Sequence, residues 1–449
     1  MANRLITATS CPGCNRTKTE VSWSLIIDLA TLAVHWLKIF NTVAAGSLTI
    51  LLTSCTNLTA PKTLFVTFGA SAENFKDESE QIRTVLNKYT EAFQRLNPDT
   101  NVVWINYKTN KILEQITNDS ALNLGPDVVI TEQYTADRLL AKDLTTTLTD
   151  KQYLDDIYSP HIKSIAKVSN EYIYAPWLVS TQIACFNNTT IKTSPDTIKG
   201  LETLSASGKK IGLSSNPYDL IWTAGSTGAI AELSSIGDKI STAQTYPATQ
   251  RWLQWLQKAA LYQNIYFHEN PRELSNKLKS KELDWITCWG EQLRDLKKSL
   301  GNSLGVAALP NGTASKAFPT QIIYGFSLGK NSSPNQQTMA IKLIKTAVNA
   351  IAQRKIVLGN SGFLAANKNV AIPPQSSKIL VALNTSFNEQ SKHYSKELPG
   401  VVRWFLPEQG NSENHGKRYR QLRRTLTELT DGYLDINEAL KIITTTQTN

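Results

Sequence analysis

LFVTFGASAENFKDESEQIRTVLNKYTEAFQRLNP, running from Leu64 to Pro98, decides the fold class. Leu64 to Phe68 has the unbroken apolar and β-branched character of a buried strand, and Gly69-Ala70-Ser71-Ala72 turns the chain. Phe75, Ile82, Val85, Leu86, Tyr89, Ala92, Phe93 and Leu96 then recur at helical spacing until Asn97-Pro98 stops them. A strand at Val102 to Ile105, a helix around Lys111 to Asn118, a Gly125-Pro126 turn and a strand at Asp127 to Thr131 continue the alternation. Strand and helix in alternation predict an α/β sheet, with ligands bound beyond the carboxyl ends of its strands.

The later chain keeps the style. Lys210 to Leu213 and Trp285 to Cys288 read as strands, with a helix holding Trp252, Leu253 and Leu256 between them. Three helical faces close it: Met339, Leu343, Ile344, Ala347, Val348 and Ile351; Tyr419, Leu422, Leu426 and Leu429; Ile436, Ala439, Leu440 and Ile443. At 449 residues the chain is about three times a usual domain, so two lobes are expected.

Several blocks carry more than periodicity. Asn97-Pro98-Asp99 leads into a strand and then Gly125-Pro126-Asp127-Val128-Val129. Tyr174-Ala175-Pro176-Trp177-Leu178-Val179-Ser180-Thr181-Gln182 runs on to Phe186-Asn187-Asn188. Trp285 to Leu296, Gly305 to Pro310, Tyr324 to Leu328 and Gly362 to Asn367 follow in order. Together they resemble the carbohydrate-type extracellular solute-binding proteins, the broad family that includes maltose-binding protein.

The resemblance implies a type II periplasmic binding protein fold, two α/β lobes joined by crossover strands around a ligand cleft that closes by a hinge. On this expectation 64–175 and 318–362 form lobe 1, and 176–317 and 363–449 form lobe 2. It also implies a monomer that captures a small carbohydrate or polyol and delivers it to the permease subunits of an ABC transporter. Two departures are visible. The crossover strand carries Ser180, Thr181 and Gln182 where many relatives have an acid and then a base, and the tip reads Cys288-Trp289-Gly290-Glu291.

A sugar presents an apolar ring face fringed by hydroxyls, so its site needs flat aromatics and side chains that both donate and accept. Of the eight tryptophans after Cys55, Trp177, Trp222, Trp289 and Trp404 read as loop or element-end residues and are cleft candidates. Trp104, Trp252, Trp255 and Trp285 read as core. The family pattern aims Ser71, Glu73, Gln133, Tyr134, Thr181, Gln182, Glu291, Tyr324 and Arg403 at the cleft.

Upstream, Ile39 to Leu52 is a short apolar run closed by Leu52-Thr53-Ser54-Cys55, which resembles a bacterial lipoprotein signal with Cys55 as the acylated residue. This makes 1–54 an extension plus signal peptide, 55–63 a tether, and the remainder an extracytoplasmic protein held to the membrane by lipid. The basic n-region is thin and some 34 residues precede it, which points to translation beginning near Val34. The alternative is an ordinary buried helix with Cys55 a core thiol.

The net charge is +10, and the part after Ser54 retains +8, but its only dense basic cluster is Lys417, Arg418, Arg420, Arg423 and Arg424 on an amphipathic helix. That pattern is a solvated helix face rather than a nucleic-acid footprint. Cys11, Cys14, Cys55, Cys185 and Cys288 are too few and scattered for a disulfide framework, and Cys288 is expected to be simply buried. The five histidines are isolated in sequence, with no metal-ligand spacing and no adjacent nucleophile, so neither a metal, a cofactor nor catalysis is expected. The rival readings are the same fold holding a polyamine, an iron complex or a phosphodiester, and, in a different class, a surface glycosidase or a structural lipoprotein.

Processing at Cys55 is open to a direct check. Mass spectrometry of the mature protein should find a lipidated Cys55 as its first residue, and an intact Ser54-Cys55 peptide would contradict it.

Overall fold

Leu64, Val66 and Phe68 are buried on β1 (Lys62–Phe68), as a strand covered on one face requires. The computed structural model describes residues 62–69, 78–105, 107, 111–237, 245–359, 362–373, 375–397, 401 and 413–445. Cys11, Cys14, Cys55 and the apolar leader lie outside the described residues, as do Ser71, Glu73, Arg403 and Trp404.

β1 pairs in parallel with both β2 (Thr100–Ile105) and β3 (Val128–Glu132), placing Val66 opposite Trp104 and Val128. β4 (Thr145–Thr146) is a short addition, and β5 (Lys167–Val168) with β6 (Glu171–Tyr172) makes a small hairpin. β7 (Ala175–Asn187) follows, thirteen residues long and buried throughout. Then come β8 (Ile211–Ser214), β9 (Ile265–His268), β10 (Trp285–Trp289), β11 (Leu304–Ala307), β12 (Gln321–Gly329) and β13 (Leu364–Ala365). The strand order is β2-β1-β3-β12-β7-β10-β8-β9, with β11 and β13 also on β7 and β4 on β12.

β7 therefore belongs to two arrangements. From Ala175 to Thr181 it pairs antiparallel with β12, and from Gln182 to Phe186 with β10. β13 and β11 flank the same two stretches on its other edge. Every backbone donor in so buried a strand needs a partner, and four neighbours supply them.

There are two cores, and the first crosses β7, running from Leu64 and Val66 to Ile286, Cys288 and Leu296. Helix Glu78–Leu96 buries Leu86 and Phe93 against Leu64, Val66 and Trp177 in the first. In the second, helix Pro247–Ala260 packs with Trp222, Trp285, Leu426, Leu429 and Ile443. Two of the indoles there have partners for their N–H groups: Trp252 donates to Thr223 Oγ1 at 2.8 Å and Trp285 to Ser194 Oγ at 2.9 Å.

Two expectations are corrected. Ile351 does not continue the apolar face of Pro334–Val348 but is 84% exposed. The Asn349 side chain accepts from the Ala352 N–H and so caps a new helix, Ala350–Leu358, with a different heading. Cys288, expected as a buried thiol, forms a disulfide with Cys185, joining β10 to β7 with Cα atoms 5.8 Å apart. The pairing was not visible as a spacing because 103 residues separate the two. Closing a loop of that length removes unfolded-state entropy worth about 4.7 kcal/mol in the chain-entropy account. A disulfide of this kind belongs to an oxidising, extracytoplasmic compartment.

Candidate ligand-binding site

Strand ends converge where the two halves of the sheet meet on β7. Helix Gln133–Ala141 starts directly after β3, and helix Pro217–Leu220 starts three residues beyond β8. Both therefore sit at carboxyl ends of parallel strands, the position where α/β sheets bind ligands.

From the first half comes Tyr134; from the second, Tyr218. Their hydroxyls are 3.0 Å apart and their rings meet edge to face. The Tyr218 hydroxyl donates to the Gln321 carbonyl at 2.7 Å, and the Gln133 side chain donates to the same carbonyl at 3.2 Å. Tyr218 is held from below, because Asn216 accepts from its backbone N–H at 3.0 Å and from the Tyr419 hydroxyl at 2.8 Å. Burial pushes both phenols up, so each stays a neutral group able to donate and accept.

Tyr218 also stacks on Trp289, the last residue of β10, with centroids 5.7 Å apart and planes 16° from parallel. The Trp289 indole N–H donates to Asp219 Oδ1 at 2.8 Å. Asp219 accepts further from Ser214 at 3.2 Å, and its backbone carbonyl takes the Gln182 amide at 3.0 Å. Burial raises the Asp219 carboxyl to about 6, opposed by those hydrogen bonds. Beside this group the Tyr324 hydroxyl donates to Glu291 Oε1 at 2.9 Å, linking β12 to the turn after β10. On the far side, His161 lies 2.9 Å from Ser395 Oγ through Nδ1 and 2.8 Å from the Gln321 amide through Nε2. Burial lowers its pKa and keeps it neutral.

Of the residues singled out in the sequence, Gln133, Tyr134, Gln182, Trp289, Glu291 and Tyr324 come together here. Thr181 is buried on β7 with its hydroxyl on the Thr320 carbonyl, which makes it part of the strand pairing. Trp177 is not a loop residue: it lies inside β7, fully buried against Tyr89 and Phe326. Strand alternation turns it into the first core. Trp222 opens a short helix, but its ring is equally buried and packs on Trp285 in the second core.

Tyr218, Asp219, Gln321 and His161 were missed. The signal for the first two was present, since Asn216-Pro217-Tyr218-Asp219 follows a predicted strand after only Ser214 and Ser215. Gln321 and His161 carry no local signal, because their roles arise from contacts with each other across 160 positions.

Residues 88–380 match the family described as "Bacterial extracellular solute-binding protein". The chain belongs to that family. No match is found among curated proteins. Solved structures with the same fold include the acarbose-binding GacH receptor of Streptomyces glaucescens, at 14% identity and TM-score 0.63, covering 85% of this chain and 97% of that one. Maltodextrin-binding protein MalE1 of L. casei is similar at 13% identity and TM-score 0.64, covering 86% and 99%. A Staphylococcus aureus extracellular solute-binding protein, solved with maltose, gives 15% and 0.62, covering 86% and 97%. These likenesses establish the two-lobe α/β fold, and the family is one of extracytoplasmic binding proteins. Among the described residues no helix is long and apolar enough to cross a membrane.

If the Tyr218 ring forms a ligand wall, Tyr218→Ala should weaken binding of a confirmed ligand by about 2 kcal/mol or more, the scale of an interface anchor. Tyr218→Phe keeps the ring and deletes one hydroxyl, so it should cost about 1 kcal/mol. Titration calorimetry separates the two, and unchanged affinity in both variants would remove Tyr218 from the site.

Proposed function

We propose that this protein captures a small carbohydrate, an oligosaccharide, disaccharide or glycosylated polyol, between its two lobes for delivery to an ABC importer. The observation that carries the reading is the near-parallel Tyr218–Trp289 pair, flanked by hydroxyl and amide groups and backed by the Asp219 carboxyl, where the two halves of the sheet meet. Flat apolar rings match a sugar's C–H face, and groups that both donate and accept match its hydroxyls. The Tyr174 hydroxyl and Thr320 Oγ1 are buried with no partner among the described residues. Tyr174 lies close to Tyr134, and Thr320 adjoins Gln321. A hydroxyl-rich ligand would relieve the cost of such groups. Several neighbours of the same fold were solved with acarbose or maltose.

The lobes of this reading are 64–175 with 318–362, and 176–317 with 363–449, closing about β7 and β12. Ser71, Glu73, Arg403 and Trp404 are further candidate cleft groups. A lipid anchor at Cys55 would hold the protein beside its permease, and the role is binding, as a monomer, rather than catalysis.

The cationic-ligand alternative has one observation in its favour: Glu132, Asp219 and Glu291 are buried, while no described lysine or arginine is. These carboxylates are already engaged, however, by Thr131, by Trp289 and Ser214, and by Tyr324. A neutral ligand therefore fits better.

Thermal-shift screening of the leaderless protein against maltose, chitin disaccharide, sugar alcohols and polyamines tests this. A ligand at one hundred times its dissociation constant should add about 2.7 kcal/mol. Stabilisation by saccharides is expected; stabilisation by polyamines alone would replace the carbohydrate reading.

A further inference from the structure

Asp219 is an unusual residue to find behind an aromatic wall. It is a buried carboxylate with no cation beside it among the described residues, and its partners come from three different strands. Trp289 ends β10 and donates its indole N–H at 2.8 Å; Ser214 ends β8 and donates at 3.2 Å. Gln182 of β7 reaches Oδ1 at 3.4 Å and the backbone carbonyl at 3.0 Å. The other end of that amide accepts from the Thr320 N–H at 3.0 Å, one residue before the carbonyl that Tyr134 and Tyr218 share.

We propose that the ionised Asp219 is the positioning residue of the binding site, holding the Trp289 indole against Tyr218 and tying that pair through Gln182 to the strand between the lobes. This deepens the carbohydrate reading and rests on it for the affinity argument. The indole N–H has an acceptor that binds it most strongly when charged, since hydrogen bonds to ionised acceptors are roughly twice as strong as neutral ones. Protonation would weaken the indole contact and free the ring to turn away from Tyr218.

The groups facing Asp219 are few. Tyr218 adjoins it on the same helix, with Glu291 and Tyr134 acting on Tyr218. Tyr419 faces it from helix Glu413–Thr430, with Arg423 acting on Tyr419. His161 stands one residue further away, through Gln321. Charge and stability pull in opposite directions at this position. A carboxyl raised to about 6 in the folded protein holds its proton more tightly than in the unfolded chain. It therefore favours folding fully only below its ordinary, unfolded range, and that contribution is lost as pH rises through about 6. At neutral pH the ionised group costs stability. A residue kept only for folding would be better as the amide, whereas a residue kept for the ligand would not.

The test uses the full leaderless protein and its Asp219→Asn variant. In the wild type the Trp289 indole 1H–15N resonance should shift with a midpoint near pH 6, and in Asp219→Asn it should be flat. A His161→Gln variant should leave that titration in place. Asp219→Asn should melt at the same temperature as wild type or higher at pH 7.5, yet bind maltose or chitin disaccharide, whichever the wild type takes, about tenfold more weakly. Wild-type affinity should fall towards the variant's as pH drops from 7.5 to 5. An indole resonance that does not titrate would overturn the proposal, as would a variant with wild-type affinity or a lower melting temperature. If no saccharide binds the wild type while the indole still titrates, it is the carbohydrate reading that fails, and the Asp219–Trp289 link stands.

Discussion

The rest of the structure hangs on β7. Thirteen consecutive buried residues, Ala175 to Asn187, can exist only if both edges of the strand are hydrogen-bonded along its length. The chain meets that demand by returning to β7 four times, with β10, β11, β12 and β13. Since the first stretch pairs with one set of strands and the second with another, a single strand carries two half-sheets. The place where its partners change, around Thr181 and Gln182, is also where the candidate binding groups gather. Gln321 pairs with Thr181, and Trp289 with Gln182. The site is thus a consequence of how β7 is shared.

The polar and apolar parts of the site are interdependent. Trp289 and Tyr218 supply ring faces, but each is held by a polar group behind it: the indole by Asp219, the tyrosine by Asn216 and Gln321. The Cys185–Cys288 disulfide fixes β10 to β7 one residue before Trp289. A covalent tie at that point limits how far the tip of β10 can drift, which suits a rigid wall for a ligand that arrives and leaves.

Much of this was legible in the sequence. Strands Leu64 to Phe68, Val102 to Ile105 and Trp285 to Cys288 were readable because their apolar runs are bounded by clear turn signals. The candidate site was half legible. Trp289 and Tyr134 stand at element ends, where a strand hands over to a helix, and that position alone nominates them. Trp177 misled because Ala175-Pro176 resembles a loop, yet Pro176 is accommodated within β7 at the register shift opposite Tyr324 and Gly325. Asp219 could not be inferred as a hub, since its partners Gln182, Ser214 and Trp289 are scattered and only folding brings them to one carboxylate. The disulfide was hidden for the same reason.

The central claim is that ligand is taken up between Tyr134, Tyr218 and Trp289 at the junction on β7. A crystal structure of the leaderless protein with its tightest-binding ligand tests it most directly. The account predicts a saccharide ring against Tyr218 or Trp289, with a hydroxyl or amide from each half of the sheet in contact with it. A ligand bound elsewhere, with the Tyr134–Tyr218 and Tyr218–Trp289 contacts unchanged, would contradict it.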